Sequence, residues 1–245
     1  ATISGLSFVY RIVRLPRLKP ASMTEAIMRA AKKEIPLPLE EIYLSWQAIG
    51  GDKEELELFL LGVPRNLVDA LVQTLNIAGL RLLAIDLKAL SLARAANRSD
   101  ALVAGFAPGC FDIVLVSGGR PAILHTVTPR IEGATLDDNV RKLVDELART
   151  VDFYNLTHTA NPFQRETPLL LSGELADDPA AVQLIRDNTE HPVEVLTSSV
   201  RSPSGFSVAS YAGNIGLALR GARRGTLSGK DAAPFRDINI DILAG

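Results

Sequence analysis

Three apolar runs, Ala101–Phe106, Phe111–Val116 and Pro121–Val127, are joined by Ala107-Pro108-Gly109-Cys110 and Ser117-Gly118-Gly119-Arg120. Short runs closed off by turn-forming residues predict a three-stranded meander. The period then changes. From about Leu136 to Leu156, Val140, Leu143, Val144, Leu147, Val151 and Tyr154 fall on one stripe with helical spacing. A meander with a long amphipathic helix folded back on it must bury one face of a sheet, which is the start of an α/β layer. A short apolar strand at Leu169–Leu171, a helix near Pro179–Asn188 and a strand near Val193–Leu196 continue that layer.

The residues before Arg98 form a second group. Alternation over residues 3–15 predicts a strand, and Pro16 and Pro20 break it. Ser22 is placed to cap a helix running to about Lys33, with Ala26, Ile27 and Ala30 inward. Two prolines then hold Glu34-Ile35-Pro36-Leu37-Pro38-Leu39-Glu40-Glu41 extended. Ile42–Ile49 and Leu56–Val63, separated by Gly50-Gly51-Asp52-Lys53, read as a hairpin. Pro64 sits where a first helical residue belongs, and Leu67, Val68, Leu71, Val72 and Leu75 recur at helical spacing up to a stop at Gly79. Leu80–Leu87 reads as a strand and Ala89–Ala96 as a short helix. The last regular element is a helix near Val208–Leu219, followed by a linker-like stretch rich in Gly, Ser, Arg, Lys and Pro.

Charge and composition exclude some functions. A net charge of −2 provides no concentrated basic surface for nucleic acid. Arg220, Arg223 and Arg224 read as cations at a helix C-terminus. Cys110 is the only cysteine, so an intrachain disulfide and a multi-cysteine zinc site are both ruled out. No apolar run approaches the roughly 20 residues of a membrane span. The chain opens at Ala1 in strand-like sequence, which reads as a trimmed fragment.

Several stretches, in order, resemble the PilM family of type IV pilus assembly proteins, relatives of FtsA and GspL. They are residues 34–41 (E-x-P-F-P-L-E-E in the family) and Val63-Pro64-Arg65-Asn66-Leu67-Val68-Asp69. Ala78-Gly79-Leu80, Ile85-Asp86-Leu87-Lys88-Ala89-Leu90-Ser91-Leu92-Ala93-Arg94 and Tyr211–Arg220 follow at matching spacing. The resemblance implies an actin-like α/β fold of two ribonuclease-H-like halves that clasp a nucleotide, with a small α/β subdomain inserted in the first half. On that plan residues 1–97 are the remainder of the first half, with the inserted subdomain at about 16–88. Residues 98–221 are the second half and a returning helix, and 222–245 are a linker and a docking tail. The opening strands and first phosphate loop of the family would lie upstream of Ala1.

The resemblance also says where nucleotide chemistry belongs. A metal-bound triphosphate needs free backbone amides and a carboxylate that orders the metal-bound water. The family's second phosphate loop, D-I-G-x-x-x-T, matches Gly105-Phe106-Ala107-Pro108-Gly109-Cys110-Phe111, where Gly105 replaces the acid and Pro108 lacks an N–H. Its adenosine turn, L-S-G-G, matches Leu171-Ser172-Gly173-Glu174, where Glu174 replaces a glycine. Gly105, Gly109, Gly173 and Glu174 are therefore the remnants of a nucleotide site, and the expectation is a non-enzyme with no cofactor. ATP with magnesium is left possible for a longer chain.

Other candidates have simpler readings. His125, His158 and His191 lie on unlike elements without ligand spacing. Asp137-Asp138 and Asp177-Asp178 fall where carboxylates favour a helix N-terminus. Ser172 has no nucleophile elbow around it, and Asp112 lies on a strand beyond the loop. The segment Asp237-Ile238-Asn239-Ile240-Asp241-Ile242-Leu243 resembles the I-N-L-L-P motif of PilN, the membrane partner of PilM, although Asp241 stands at a leucine position. Ile238, Asn239, Ile240 and Leu243 are the candidate docking residues, in cis or as a mimic of the partner, or else a plain terminal strand.

The expected function is a cytoplasmic scaffold, peripheral at the inner membrane, that holds a PilN-like protein in the groove between inserted subdomain and first half. The alternative is an ATP-binding actin-like protein whose nucleotide state controls assembly. A sugar kinase of the same fold lacks its catalytic aspartate here.

Overall fold

The computed structural model describes residues 1–4, 8–107, 109–128, 135–198, 200–222, 238 and 241–242. The chain divides into two compact units. The first contains Ser7–Asp86 and Ile238–Gly245 together with Ala1, and the second contains Thr2–Leu6 and Leu87–Asp237. The short strands β1 (Thr2–Ile3) and β5 (Asp86–Leu87) pair with each other.

In the first unit β2 (Val9–Pro16), β3 (Ile42–Gly51) and β4 (Glu55–Pro64) form an antiparallel sheet with β4 in the centre. The predicted hairpin is present, with its turn one to two residues later than expected. The Asp52 carboxylate accepts from the Glu54 and Glu55 amides, both at 2.8 Å, so Asp52 and not the glycine pair folds the turn. One face of the sheet, Leu44, Leu58 and Leu60, packs on Ile27 and Ala31 of α1 (Pro20–Glu34). That helix starts two residues before Ser22. Pro20 supplies its fixed φ at the first position, and Lys19 precedes it without a side-chain cap.

α2 (Arg65–Ile77) follows β4, with Pro64 at its N-cap position and Val68 fully buried. Gly79 ends it as expected. With φ at +72°, its N–H reaches Asn76 O (3.0 Å) and the Leu80 N–H reaches Leu75 O (2.9 Å), the paired bonds of a Schellman stop. The predicted strand Leu80–Leu87 is reduced to β5. Leu80 and Leu83 are 58% and 80% exposed, so the apolar residues that signalled a strand have no surface to cover.

The second unit holds the meander, β6 (Ala101–Ala107), β7 (Cys110–Ser117) and β8 (Arg120–Val127), within a five-stranded sheet. α4 (Leu136–Thr157), β9 (Leu169–Gly173), α5 (Pro179–Asn188) and β10 (Val193–Val195) complete the layer. The strand order is β10-β9-β6-β7-β8, with β6 parallel to β9, β9 parallel to β10, and β7 antiparallel to its two neighbours. This is a ribonuclease-H-like arrangement.

Leu102, Ala104, Ile113, Leu169 and Leu171 share a core with Val140, Leu143 and Leu147 of α4 and Ile185 of α5. α4 opens with a capping box: the Thr135 hydroxyl accepts from the Asp138 N–H, and the Asp138 carboxylate accepts from Thr135. α3 (Lys88–Ala96) contacts β6, β7 and β8, and α6 (Ala212–Ala222) packs on α3. A Cβ on Gly216 would stand 1.7 Å from the Ser91 carbonyl oxygen, so the two helices meet backbone to backbone. α6 begins four residues later than predicted. The Ser207 and Ser210 hydroxyls donate to Asp177 and hold residues 208–211 in turns, a competition that serines commonly win over helix.

Candidate functional site

The candidate residues Gly105, Gly109, Gly173 and Glu174 lie at the β6–β7 turn and at the end of β9, in the second unit's sheet. Gly105 lies opposite Asp112 on β7 and Ser172 on β9, and Asp112 lies opposite Thr126 on β8. Residues in register share a face, so Thr126, Asp112, Gly105 and Ser172 form one transverse row, and all four are buried. Asp112 accepts from the Thr126 hydroxyl at 2.6 Å, and its other oxygen lies 3.3 Å from Lys88 Nζ at the start of α3. The row is invisible in the sequence, since its members come from four strands. Asp112 in an otherwise apolar run was the one local sign of it.

The row is closed from above by α3. A Cβ built on Gly105 stands 2.3 Å from Leu92 Cδ1 and 3.3 Å from Ser172 Oγ. Leu92, itself buried, thus occupies the space into which a carboxylate at 105 would project.

The loops themselves are tight. β6 and β7 pair as far as Ala107 and Cys110, and Gly109 is exposed with φ at +78°. Gly173 has φ at +85°, and a Cβ there would lie 2.0 Å from the Phe106 carbonyl oxygen. Only glycine permits that approach. The Gly173 N–H donates to Ala209 O at 2.9 Å. Glu174 is exposed and opens a short 3₁₀ turn, Glu174–Asp177. Asp178 caps α5 through the Ala180 N–H, whereas Asp177 accepts from Ser210 and Ser207. Those hydroxyls, Ser210 first, hold the Asp177 carboxyl below the usual range.

A different arrangement occupies the first unit. Ile238 and Ile242 are buried to 2% and 0% exposure. The Ser45 hydroxyl on β3 donates to the Asp241 carbonyl oxygen at 3.0 Å, the Ile242 N–H donates to Ile85 O at 3.2 Å, and the Ile85 N–H donates to Asp241 Oδ1 at 3.3 Å. Ile238, Asp241 and Ile242 are thus held on the unit by one main-chain bond, two side-chain bonds and two buried isoleucines. Of the predicted docking residues Ile238 is described and buried, while Asn239, Ile240 and Leu243 lie outside the described residues. Ser45 and Ile85 were not expected to take part. A serine inside the apolar strand Ile42–Trp46 is the one local hint.

The three histidines sit apart. His125 faces Glu146 at 3.6 Å, His158 stacks on Tyr154, and His191 Nδ1 lies 3.0 Å from Thr167 O. Among the described residues no helix is long and apolar enough to cross a membrane.

These features define an α/β protein of the actin-like class, with a ribonuclease-H-like half carrying a buried polar row and a separate unit carrying a seated peptide segment. No protein-family description and no curated protein matches the sequence. Among solved structures, a chain of a PilM-PilN type IV pilus biogenesis complex is similar at TM-score 0.67 and 20% identity, over 90% of this chain and 78% of that one. The cytoplasmic domain of EpsL, an inner-membrane component of the type II secretion system of Vibrio cholerae, is similar at TM-score 0.49 and 12% identity, over 87% and 71%. A Bacteroides thetaiotaomicron protein with an actin-like ATPase fold is similar at TM-score 0.39 and 11% identity, over 75% and 64%. At such identities the likeness is one of fold.

Proposed function

We propose that the chain is a cytoplasmic scaffold of type IV pilus assembly, or of a related secretion or DNA-uptake machine. It holds a PilN-like inner-membrane partner through a short apolar peptide and does not hydrolyse ATP. The observation that carries this reading is the segment bearing Ile238 and Ile242, seated on Ser45 and Ile85 of the first unit. Main-chain and side-chain hydrogen bonds together with buried apolar anchors are a general mode of peptide capture. Its resemblance to a PilN motif supports an inner-membrane partner, as does the fold shared with a chain of a PilM-PilN complex.

ATP and magnesium fit the second unit poorly. Position 105 brings no carboxylate, Leu92 fills the space above it, and Lys88 stands 3.3 Å from the one Asp112 oxygen that Thr126 leaves without a hydrogen bond, so a cation already balances that charge. The Gly173 amide is engaged by Ala209 O, and Glu174 adds negative charge at the turn. No chemical step is assigned to this row.

Two calorimetric titrations test the reading, on a chain carrying I238D and I242D so that its own segment is weakened. A peptide with the partner's I-N-L-L-P stretch is expected to bind saturably, and ATP-Mg is expected to give no heat at high micromolar concentration. Absence of peptide binding refutes the scaffold. Saturable ATP binding moves a nucleotide-controlled assembly protein to first place.

A further inference from the structure

We infer that the first unit reads a short peptide of the pattern Ile-x-x-Asp-Ile, with the Asp241 carboxylate as the residue that determines specificity. This rests on the docking reading above and goes beyond it. The family motif carries leucine at this position, so the acid is a property of this chain.

Ile85 is fully buried. A buried residue in an extended segment must have both main-chain groups satisfied. Successive residues of such a segment direct their N–H and C=O groups to opposite edges. The Asp86 N–H donates to Ala1 O at 3.0 Å and Ala84 O accepts from the Ala1 amine at 2.9 Å, so one edge of residues 84–86 is taken. Ile85 faces the other edge, and there its partners are Asp241 and Ile242.

In an ordinary strand pair the Ile85 N–H would be met by a main-chain carbonyl. Here the Asp241 carbonyl is turned to the Ser45 hydroxyl, and the Asp241 side chain takes the Ile85 N–H instead. The Ile242 N–H completes the contact by donating to Ile85 O. Asp241 therefore bridges two elements of the unit, β3 through its carbonyl and residue 85 through its carboxylate. Ile238 and Ile242 fill buried positions on either side of it. Leucine at 241 would strand the Ile85 N–H in an apolar setting, and an isosteric amide would still accept from it. The unit thus discriminates by a side-chain acceptor at one position and by branched apolar side chains three residues before and one after.

Amide hydrogen exchange on the full chain provides the first test. D241L is expected to speed exchange at residue 85 by about tenfold or more, the range for losing a hydrogen bond to a charged group. D241N should stay within about threefold of the native chain, and the β4 amides at 58–61 should not change. Unchanged exchange at residue 85 in D241L overturns the inference. So does a rise that spreads through β4 equally in both variants, which would mark Asp241 as a general stability residue.

The second test offers labelled peptides of residues 236–245 to the D241L chain. The native peptide is expected to bind about tenfold more tightly than its D241L counterpart. Equal binding overturns the carboxylate reading and leaves docking intact, whereas no binding by either peptide overturns docking and this inference with it.

Discussion

Placing an acid at position 105 by G105D should unfold the second unit and should not create an ATP site. Two terms add in the same direction. The new Cβ alone would lie 2.3 Å from Leu92 Cδ1 and 3.3 Å from Ser172 Oγ. Overpacking of this kind costs about 1–3 kcal/mol. The carboxylate would be buried, directly across the strand pair from Asp112, whose partners Lys88 and Thr126 are already committed. An uncompensated buried charge costs on the order of 3–5 kcal/mol.

A total of roughly 4–8 kcal/mol is comparable to the whole stability of a domain, about 5–15 kcal/mol. Urea titration followed by far-ultraviolet circular dichroism measures it. G105A isolates the steric term at about 1–3 kcal/mol, and G105D/L92A should recover that part and no more. The reasoning is refuted if G105D lies within about 1 kcal/mol of the native chain, since the summed cost would then be absent. Saturable ATP-Mg binding by a folded G105D chain refutes it from the other side.

G216A should lower the melting temperature of the second unit by about 6–12 °C, from an overpacking cost near 3 kcal/mol against the Ser91 backbone. A shift below about 2 °C in differential scanning calorimetry would show that α3 and α6 separate easily, because one kcal/mol moves a unit of this size by at least that much. Glu146 is hydrogen-bonded by Lys142 and flanked by Arg149 and His125, which hold its carboxyl below the ordinary 4.5. A depressed carboxyl contributes stability above its unfolded value and loses it as pH falls through the folded one. E146Q should therefore be less stable than the native chain at pH 6, by less than about 1 kcal/mol. That gap should close as pH drops below 4.5. An equal gap at pH 6 and pH 3.5 would exclude titration of Glu146 as its source.

The elements with strong local signals were legible without a structure. The meander, the stripe of α4 and the Pro179 start of α5 rest on period and on turn or capping chemistry carried by neighbouring residues. Where a local signal needed a partner surface it misled. Leu80–Leu87 alternates like a strand yet exposes Leu80 and Leu83, and Val208–Tyr211 is apolar enough for helix yet is held in turns by Asp177.

The candidate sites divide the same way. The sequence by itself determined that residue 105 carries no acid, that a glutamate follows Gly173, and that an apolar segment with Asp241 inside it closes the chain. Only tertiary structure decided that Leu92 packs over position 105, that Thr126 hydrogen-bonds Asp112 while Lys88 stands beside it, and that Asp241 meets Ser45 and Ile85. Hydrogen bonds and steric exclusion act over about 3–4 Å, and the residues that meet at these sites come from separate strands and helices, so their meeting is set by sheet register and helix packing and by no local pattern.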